Sequence, residues 1–181
     1  MTSIEFADKL KSLAPSKESL SRLGVDDEFI KHYLNSYNLK RIKNEIAHID
    51  PILNLINNHD VSNFDIGMIN LNSADDVFET EKNIIVGSYD ADMLAIDKIT
   101  DEIVILDWEN PDYVISRCSK DSETFLYAIL EVAKINKEMF FDEGLSENQQ
   151  AIKEKSMEIA GIAGDERYLN FYLTILGYSG E

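Results

Sequence analysis

The sequence predicts an α+β fold with a central antiparallel sheet, because strand-like runs are segregated from helix-like ones along the chain. Three runs rich in Ile and Val, at residues 84–89, 93–97 and 103–108, follow one another with short polar connections. Runs of this length are typical of strands, and such short connections favour antiparallel hairpins. Helical periodicity precedes and follows this meander instead of alternating with it, which favours α+β over a parallel α/β arrangement.

Before the meander, apolar residues at helical spacing predict several N-terminal helices. They span residues 3–13, 16–24 and 26–38. Asp26 or Asp27 can cap the third helix, and its acidic first turn suits the positive end of the helix dipole. Tyr33 and Tyr37 lie on the apolar face of that helix, where aromatic residues are more typical of a core than of a binding stripe.

The pattern between residues 39 and 79 is less regular. The predicted segments are a helix at 39–50 that stops or restarts at Pro51, a turn at 57–60, a strand at 64–71 with Gly67 as a bulge, and a loop or helical turn at 72–79.

After the meander, residues 113–115 suggest a short extra strand. A long helix then opens near Ser122, with Ser122 or Asp121 as its cap. It is apolar over much of its circumference and should pack against the sheet. Two further helices are predicted at residues 146–163 and 165–176.

Charge is the strongest compositional signal, with a formal net charge of −17. Residues 61–147 hold 20 of the 34 acidic residues but only six of the 17 basic ones. Such a field repels nucleic acid and anionic membranes and steers a cationic partner towards the protein. The plainer interpretation is that the charge serves solubility.

Composition also indicates the cellular compartment of the protein. With one cysteine, Cys118, no intramolecular disulfide can form, and we expect that residue to be small and half-buried. No run approaches the roughly 20 apolar residues of a membrane span, and the N-terminus lacks the apolar centre of a signal peptide. A cytoplasmic location is therefore expected.

Few residues suggest catalysis. The three histidines lack ligand spacing, so we predict no metal site and no cofactor. Asp90-Ala91-Asp92 resembles the Asp-x-Asp motif of nucleotide-sugar transferases, whose carboxylates hold a hard cation. The same aspartates are also ordinary turn residues. Trp108, the only tryptophan, is either an exposed anchor or a cover for the sheet edge, and we favour the cover.

The order of these segments resembles the SMI1/KNR4 (SUKH) superfamily. The similar parts are the helix Asp27-Glu28-Phe29-Ile30-Lys31-His32-Tyr33-Leu34-Asn35-Ser36-Tyr37-Asn38, then Ile85-Val86-Gly87-Ser88, Leu94-Ala95-Ile96-Asp97, Glu102-Ile103-Val104-Ile105-Leu106 and Ser122-Glu123-Thr124-Phe125-Leu126. The resemblance implies a single domain over residues 1–181, with a core at about 25–135 and a C-terminal helical extension at about 136–181.

That resemblance also implies a function. Bacterial members are mostly immunity proteins that neutralise a cognate toxin domain, frequently a nuclease, and they carry no catalytic residues. We therefore expect a cytoplasmic monomer or homodimer that binds a basic toxin and neither nucleic acid directly nor membrane. The expected partner-binding residues are Asp90, Asp92, Asp101, Glu102, Asp107, Trp108, Glu109 and Asp112. The alternatives are a small metal-dependent enzyme using Asp90 and Asp92, and a regulatory scaffold of the kind implied for fungal members.

Overall fold

Residues 1–42 and 48–180 are described by the computed structural model, and they form the α+β arrangement that the sequence predicts. The α-helices are Ser3–Leu13 (α1), Lys17–Ser21 (α2), Asp27–Ser36 (α3), Pro51–Asn58 (α4), Ser122–Phe141 (α5), Glu143–Ser146 (α6), Gln149–Ala163 (α7) and Leu169–Ile175 (α8). The strands are Lys40–Arg41 (β1), His59–Asp60 (β2), Asp65–Ile66 (β3), Ile69–Leu71 (β4), Phe78–Glu79 (β5), Asn83–Tyr89 (β6), Asp92–Asp97 (β7), Ile103–Leu106 (β8) and Val114–Ser119 (β9). Short 3₁₀ turns lie at Ala74–Asp76 and Glu166–Tyr168.

Seven of these strands form one sheet in the order β3-β4-β6-β7-β8-β9, with β5 also paired to β6. Each of these pairings is antiparallel. The predicted meander is confirmed as β6, β7 and β8, although β8 ends at Leu106 and not at residue 108. β9 is longer than the predicted strand at 113–115. β1 and β2 form a separate two-stranded ribbon.

Both faces of the sheet are covered by apolar side chains. Because alternate residues of a strand point to opposite sides, neighbouring residues of β7 belong to different apolar clusters. Along β7, Leu94 and Ile96 belong to the large core shared with the helices. Met93 and Ala95 belong to a smaller cluster on the other face, with partners from β6 and β8. The large core includes residues of α1, α4, α5, α7 and α8, so the C-terminal helices complete the same core as the N-terminal ones.

Aspartate side chains cap the N-termini of α3 and α5. Asp26, and not Asp27, caps α3, because its carboxylate accepts the backbone N–H of Phe29 at 2.7 Å. Asp121 caps α5 in the same way, accepting the N–H of Thr124 at 2.8 Å. The cap fixes where α5 leaves β9, and the buried face of α5 then lies in the large core.

The predicted helix at residues 39–50 is wrong at both ends, because residues 40–41 form a strand and residues 48–50 are not helical. Lys40–Arg41 is extended and pairs with His59–Asp60, because backbone pairing across the ribbon outweighs a weak local helical pattern. Residues 43–47 of that prediction lie outside the described residues. The expected restart at Pro51 is confirmed: Pro51 opens α4, where its missing N–H is not needed.

Two further segments differ from prediction. The region at 57–60 is not a turn, since α4 runs to Asn58 and β2 follows directly. The segment 64–71 is not one bulged strand but the β3–β4 hairpin. Its two-residue turn places Gly67 and Met68 at φ values of 60° and 67°, which matches the right-handed twist of the flanking strands.

Other differences concern burial and local pairing. Residues 78–79 pair with β6 as β5 and do not complete a helical turn. Cys118 is fully buried and not half-buried, and burial raises the pKa of its thiol. Tyr37 is buried and its hydroxyl lies 3.3 Å from the Ala133 carbonyl oxygen, which confirms the core interpretation of that aromatic face.

Candidate functional site

Most of the predicted partner-binding residues meet at one end of the sheet. The pairing of Tyr89 with Asp92 makes a tight β6–β7 turn, and the pairing of Met93 with Leu106 brings the β8–β9 connection to the same end. A direct hydrogen bond joins the two segments, from the backbone N–H of Trp108 to Asp92 Oδ1 at 3.2 Å. We call this region the acidic tip. It comprises Asp90, Asp92, Asp107, Trp108 and Glu109.

Two of the tip carboxylates build the loop that carries Trp108. Asp107 Oδ1 accepts the backbone N–H groups of Glu109 at 2.7 Å and Asn110 at 2.9 Å. The backbone closes the same loop, because the Asp107 N–H donates to the Tyr113 carbonyl at 3.1 Å. An aspartate that satisfies free amides in this way is a structural turn residue as well as a charge.

Trp108 projects from this loop into solvent. Its exposed fraction is 67%, so it does not cover the sheet edge as we favoured from the sequence. Trp108 follows the end of β8 and lies in the connection to β9. Asp90 and Glu109 are exposed beside it, while Asp92 and Asp107 are partly buried.

Asp101 and Asp112 stand apart from the tip. Asp101 lies in the β7–β8 turn, which antiparallel pairing places at the opposite end of the sheet. Asp112 accepts a hydrogen bond from Lys82 Nζ at 2.9 Å, and this ion pair offsets its charge. Lys82 precedes β6, so the β8–β9 connection reaches back along the sheet. Neither residue adds a free carboxylate to the tip.

Glu102 is not a surface residue, which corrects its assignment to the partner-binding set. Only 4% of it is exposed. Glu102 forms an ion pair with Arg117 of β9, and its other oxygen lies 3.1 Å from Arg167 Nη2. The Tyr168 hydroxyl donates to that second oxygen at 2.9 Å. This cluster around the buried Glu102 connects the start of β8 to the C-terminal helices, and it engages both Glu102 oxygens.

The tip is negatively charged because the strands and connections that form it contain acidic residues without basic ones. Residues 83–97 and 103–116 contain six acidic residues and no lysine or arginine. Within residues 1–42 and 48–180, none of the four tip carboxylates takes part in an ion pair. The tip therefore combines uncompensated negative charge with an exposed indole.

The Asp-x-Asp interpretation finds little geometric support. Asp90 adopts a positive φ of 52° as a turn residue, and one oxygen of Asp92 already accepts the backbone N–H of Trp108. In the described part of the chain, no group of three or more His, Cys, Asp or Glu side chains is arranged to hold a metal ion. A divalent cation at this turn would have two carboxylates at most, whereas hard cations take several oxygen ligands.

Sequence reasoning missed two residues of interest. Tyr113 was assigned to a short strand, yet it is 59% exposed on the same loop as Trp108. The preceding Asn110-Pro111-Asp112 turn was the available signal for a loop at this point. His59 is 4% exposed, and among the described residues its Nδ1 has no hydrogen-bond partner. Nothing in the sequence distinguishes it from a surface histidine.

Comparisons with protein-family models, with curated proteins and with solved structures find no match for this chain. The resemblance to the SUKH superfamily therefore stays a prediction. None of the helices in the described ranges combines the length and the apolar character needed to cross a bilayer.

Proposed function

We propose that this protein is a non-catalytic immunity protein of a bacterial polymorphic toxin system, and that it neutralises a cationic toxin domain in the cytoplasm by binding it at the acidic tip. The observation that supports the proposal most directly is the presence of uncompensated carboxylates and an exposed tryptophan at one end of the sheet. Tryptophan is enriched among the residues that carry binding energy at protein interfaces, and carboxylates select a cationic partner.

Electrostatics and the aromatic side chain would contribute differently to such a complex. Carboxylates at the rim raise the association rate and reject anionic competitors, but each adds little affinity when solvated. Burying Trp108 removes a large apolar surface from water and slows dissociation. The loop is closed by hydrogen bonds before binding, so little conformational entropy is lost on association.

The test is protection of cells from the toxin domain encoded beside the gene, with both proteins co-expressed. Reversal of the two exposed tip charges, Asp90→Lys with Glu109→Lys, should abolish protection and toxin capture. The matched control reverses two exposed charges elsewhere, Glu81→Lys with Glu147→Lys, and should protect as the wild type does. Circular dichroism and thermal unfolding establish that both variants are folded. Full protection by the folded tip variant would overturn the proposal.

A further inference from the structure

We infer that the β8–β9 loop is an aromatic anchor for an arginine side chain of the partner, with Trp108 and Tyr113 offering ring faces and the tip carboxylates offering acceptors. The inference rests on the proposed function, since it specifies the partner group that the acidic tip takes. It adds a chemical preference that charge alone does not give, namely arginine over lysine.

Exposure and rigidity of the two aromatic residues support this role. Trp108 and Tyr113 are 67% and 59% exposed, the largest exposed fractions among the aromatic residues of the described chain. Both lie in a loop whose ends are joined by the backbone N–H of Asp107 on the Tyr113 carbonyl, and a second bond within the loop runs from the Tyr113 N–H to the Asn110 carbonyl at 2.8 Å. A rigid, exposed aromatic residue gives contact area at little entropic cost.

The negative charge of the acidic tip determines which kind of group can bind there. A second copy of this chain would bring its own net charge of −17 to the same surface, and a nucleic acid would bring phosphates, so both are repelled. A cationic side chain is attracted by the carboxylates and also by the negative face of an aromatic ring. Arginine fits better than lysine, because its planar guanidinium stacks on a ring while its N–H groups bind a carboxylate.

One arginine of this protein already binds a ring and a carboxylate together. The Arg167 guanidinium lies over the Tyr168 ring at 4.9 Å from its centroid, and its Nη2 is 3.1 Å from Glu102 Oε1. Ring, carboxylate and guanidinium thus form one cluster at the C-terminal side of the sheet. The acidic tip presents the Trp108 ring and four carboxylates, Tyr113 adds a second exposed ring, and residues 103–116 supply no cation of their own.

Trp108 is the only tryptophan, so its fluorescence reports on the loop without labelling. The experiment measures acrylamide quenching of this fluorescence at near-physiological salt while octa-arginine or octa-lysine is added to the full chain. We expect octa-arginine to shield the indole from acrylamide several-fold, and octa-lysine to shield it much less.

By calorimetry, Trp108→Leu should weaken octa-arginine binding roughly tenfold, whereas Trp108→Tyr should retain most of the affinity. Ile99→Ala, which alters an exposed apolar residue at the opposite end of the sheet, is the matched control and should change neither quantity.

Equal shielding by the two peptides, or an indole that stays accessible when octa-arginine is bound, would overturn the arginine anchor. So would the absence of octa-arginine binding. None of these results bears on protection against the toxin, which is measured separately in cells. Conversely, an intact peptide response together with no protection would overturn the proposed function and leave the anchor standing.

Discussion

Gly87 is the residue whose replacement the fold should tolerate least in the sheet. It pairs with Leu71 in the β4–β6 pairing, and the pairing of β6 with β7 has a register shift between Ile85 and Gly87. A Cβ at this position would overlap the backbone carbonyl of Asn70, which cannot move without breaking the β4–β6 pairing. Gly87→Ala should therefore lower the free energy of unfolding by about 3 kcal/mol. Urea denaturation measures this change.

The control for that prediction is Gly161→Ala in α7, where a Cβ would meet open space. Alanine is the better helix former, so this variant should be as stable as the wild type or more so. A Gly87→Ala protein that unfolds with the wild-type midpoint would show that β4 and β6 are less closely packed than described.

His59 gives the fold a dependence on pH. Burial lowers the pKa of this imidazole below its ordinary value of 6.5, and it outweighs the raising effect of the Leu55 backbone; Arg41 lowers the pKa further and Asp8 raises it. The unfolded chain then binds a proton more readily than the folded one, so stability should fall as the pH drops through 6.5 towards the lower folded pKa. Well above pH 6.5 this imidazole is neutral in both the folded and the unfolded chain, so His59 should not change the stability there.

Thermal unfolding of the wild type and of His59→Gln across this range measures the effect. Glutamine removes the titrating group, so the decline between neutral and mildly acidic pH should be smaller in the variant. An identical slope in the two proteins would contradict the assignment to His59. His32 and His48, which are exposed, are present in both proteins and cancel in the comparison.

At the scale of elements, the cluster around Glu102 fastens the C-terminal helices to the sheet. Glu102→Ala removes the acceptor of the Tyr168 hydroxyl and of two arginines, one of them on β9. The arginine side chains are about half exposed and regain water, so the main loss is at Tyr168 and in packing. We expect a decrease of roughly 2–3 kcal/mol in the free energy of unfolding, measured by urea denaturation.

Two variants delimit this prediction. Glu102→Gln keeps an oxygen for Tyr168 and should lose less stability than the alanine variant. Asp101→Asn changes the charge of the neighbouring exposed residue, and asparagine tolerates its φ of 60°, so little change is expected. If Asp101→Asn were the more damaging substitution, Glu102 would not be the residue that joins these elements.

The elements that sequence reasoning found and missed differ in where their stability originates. α5 and the β6–β8 meander show strong periodicity and clear caps or turns, so local sequence predicts them. β1, β2 and β5 have two residues each and exist only through pairing with partners. Glu102 failed as a site residue for a similar reason, because Tyr168, which lies 66 positions later in the chain, helps to bury it. The bend at Asp90 and Asp92 was predictable from its turn residues, whereas the apolar run 103–108 placed Asp107 and Trp108 on a strand that in fact ends at Leu106.

For the whole molecule, the uneven charge opposes folding. Like charges gathered on one region repel one another more in the compact state than in the expanded chain. Added salt screens this repulsion, so NaCl should raise the midpoint of thermal unfolding. The tip carboxylates form no ion pairs in the described residues, so they contribute to this repulsion without the offset that Lys82 gives to Asp112.

Asp90→Asn with Glu109→Gln isolates that contribution, because both changes remove charge with little change in shape. We expect the double variant to be more stable by about 1 kcal/mol at low salt, or about 2–4 °C in Tm for a chain of this size. Its midpoint should also rise less with NaCl. Comparison with the wild type in the same salt series removes the general effect of salt on apolar burial, which both proteins share. A variant that is less stable at low salt would show that these two carboxylates stabilise the fold. A gain in stability together with a loss of toxin capture would mean that the tip sacrifices stability for binding, which solubility alone does not explain.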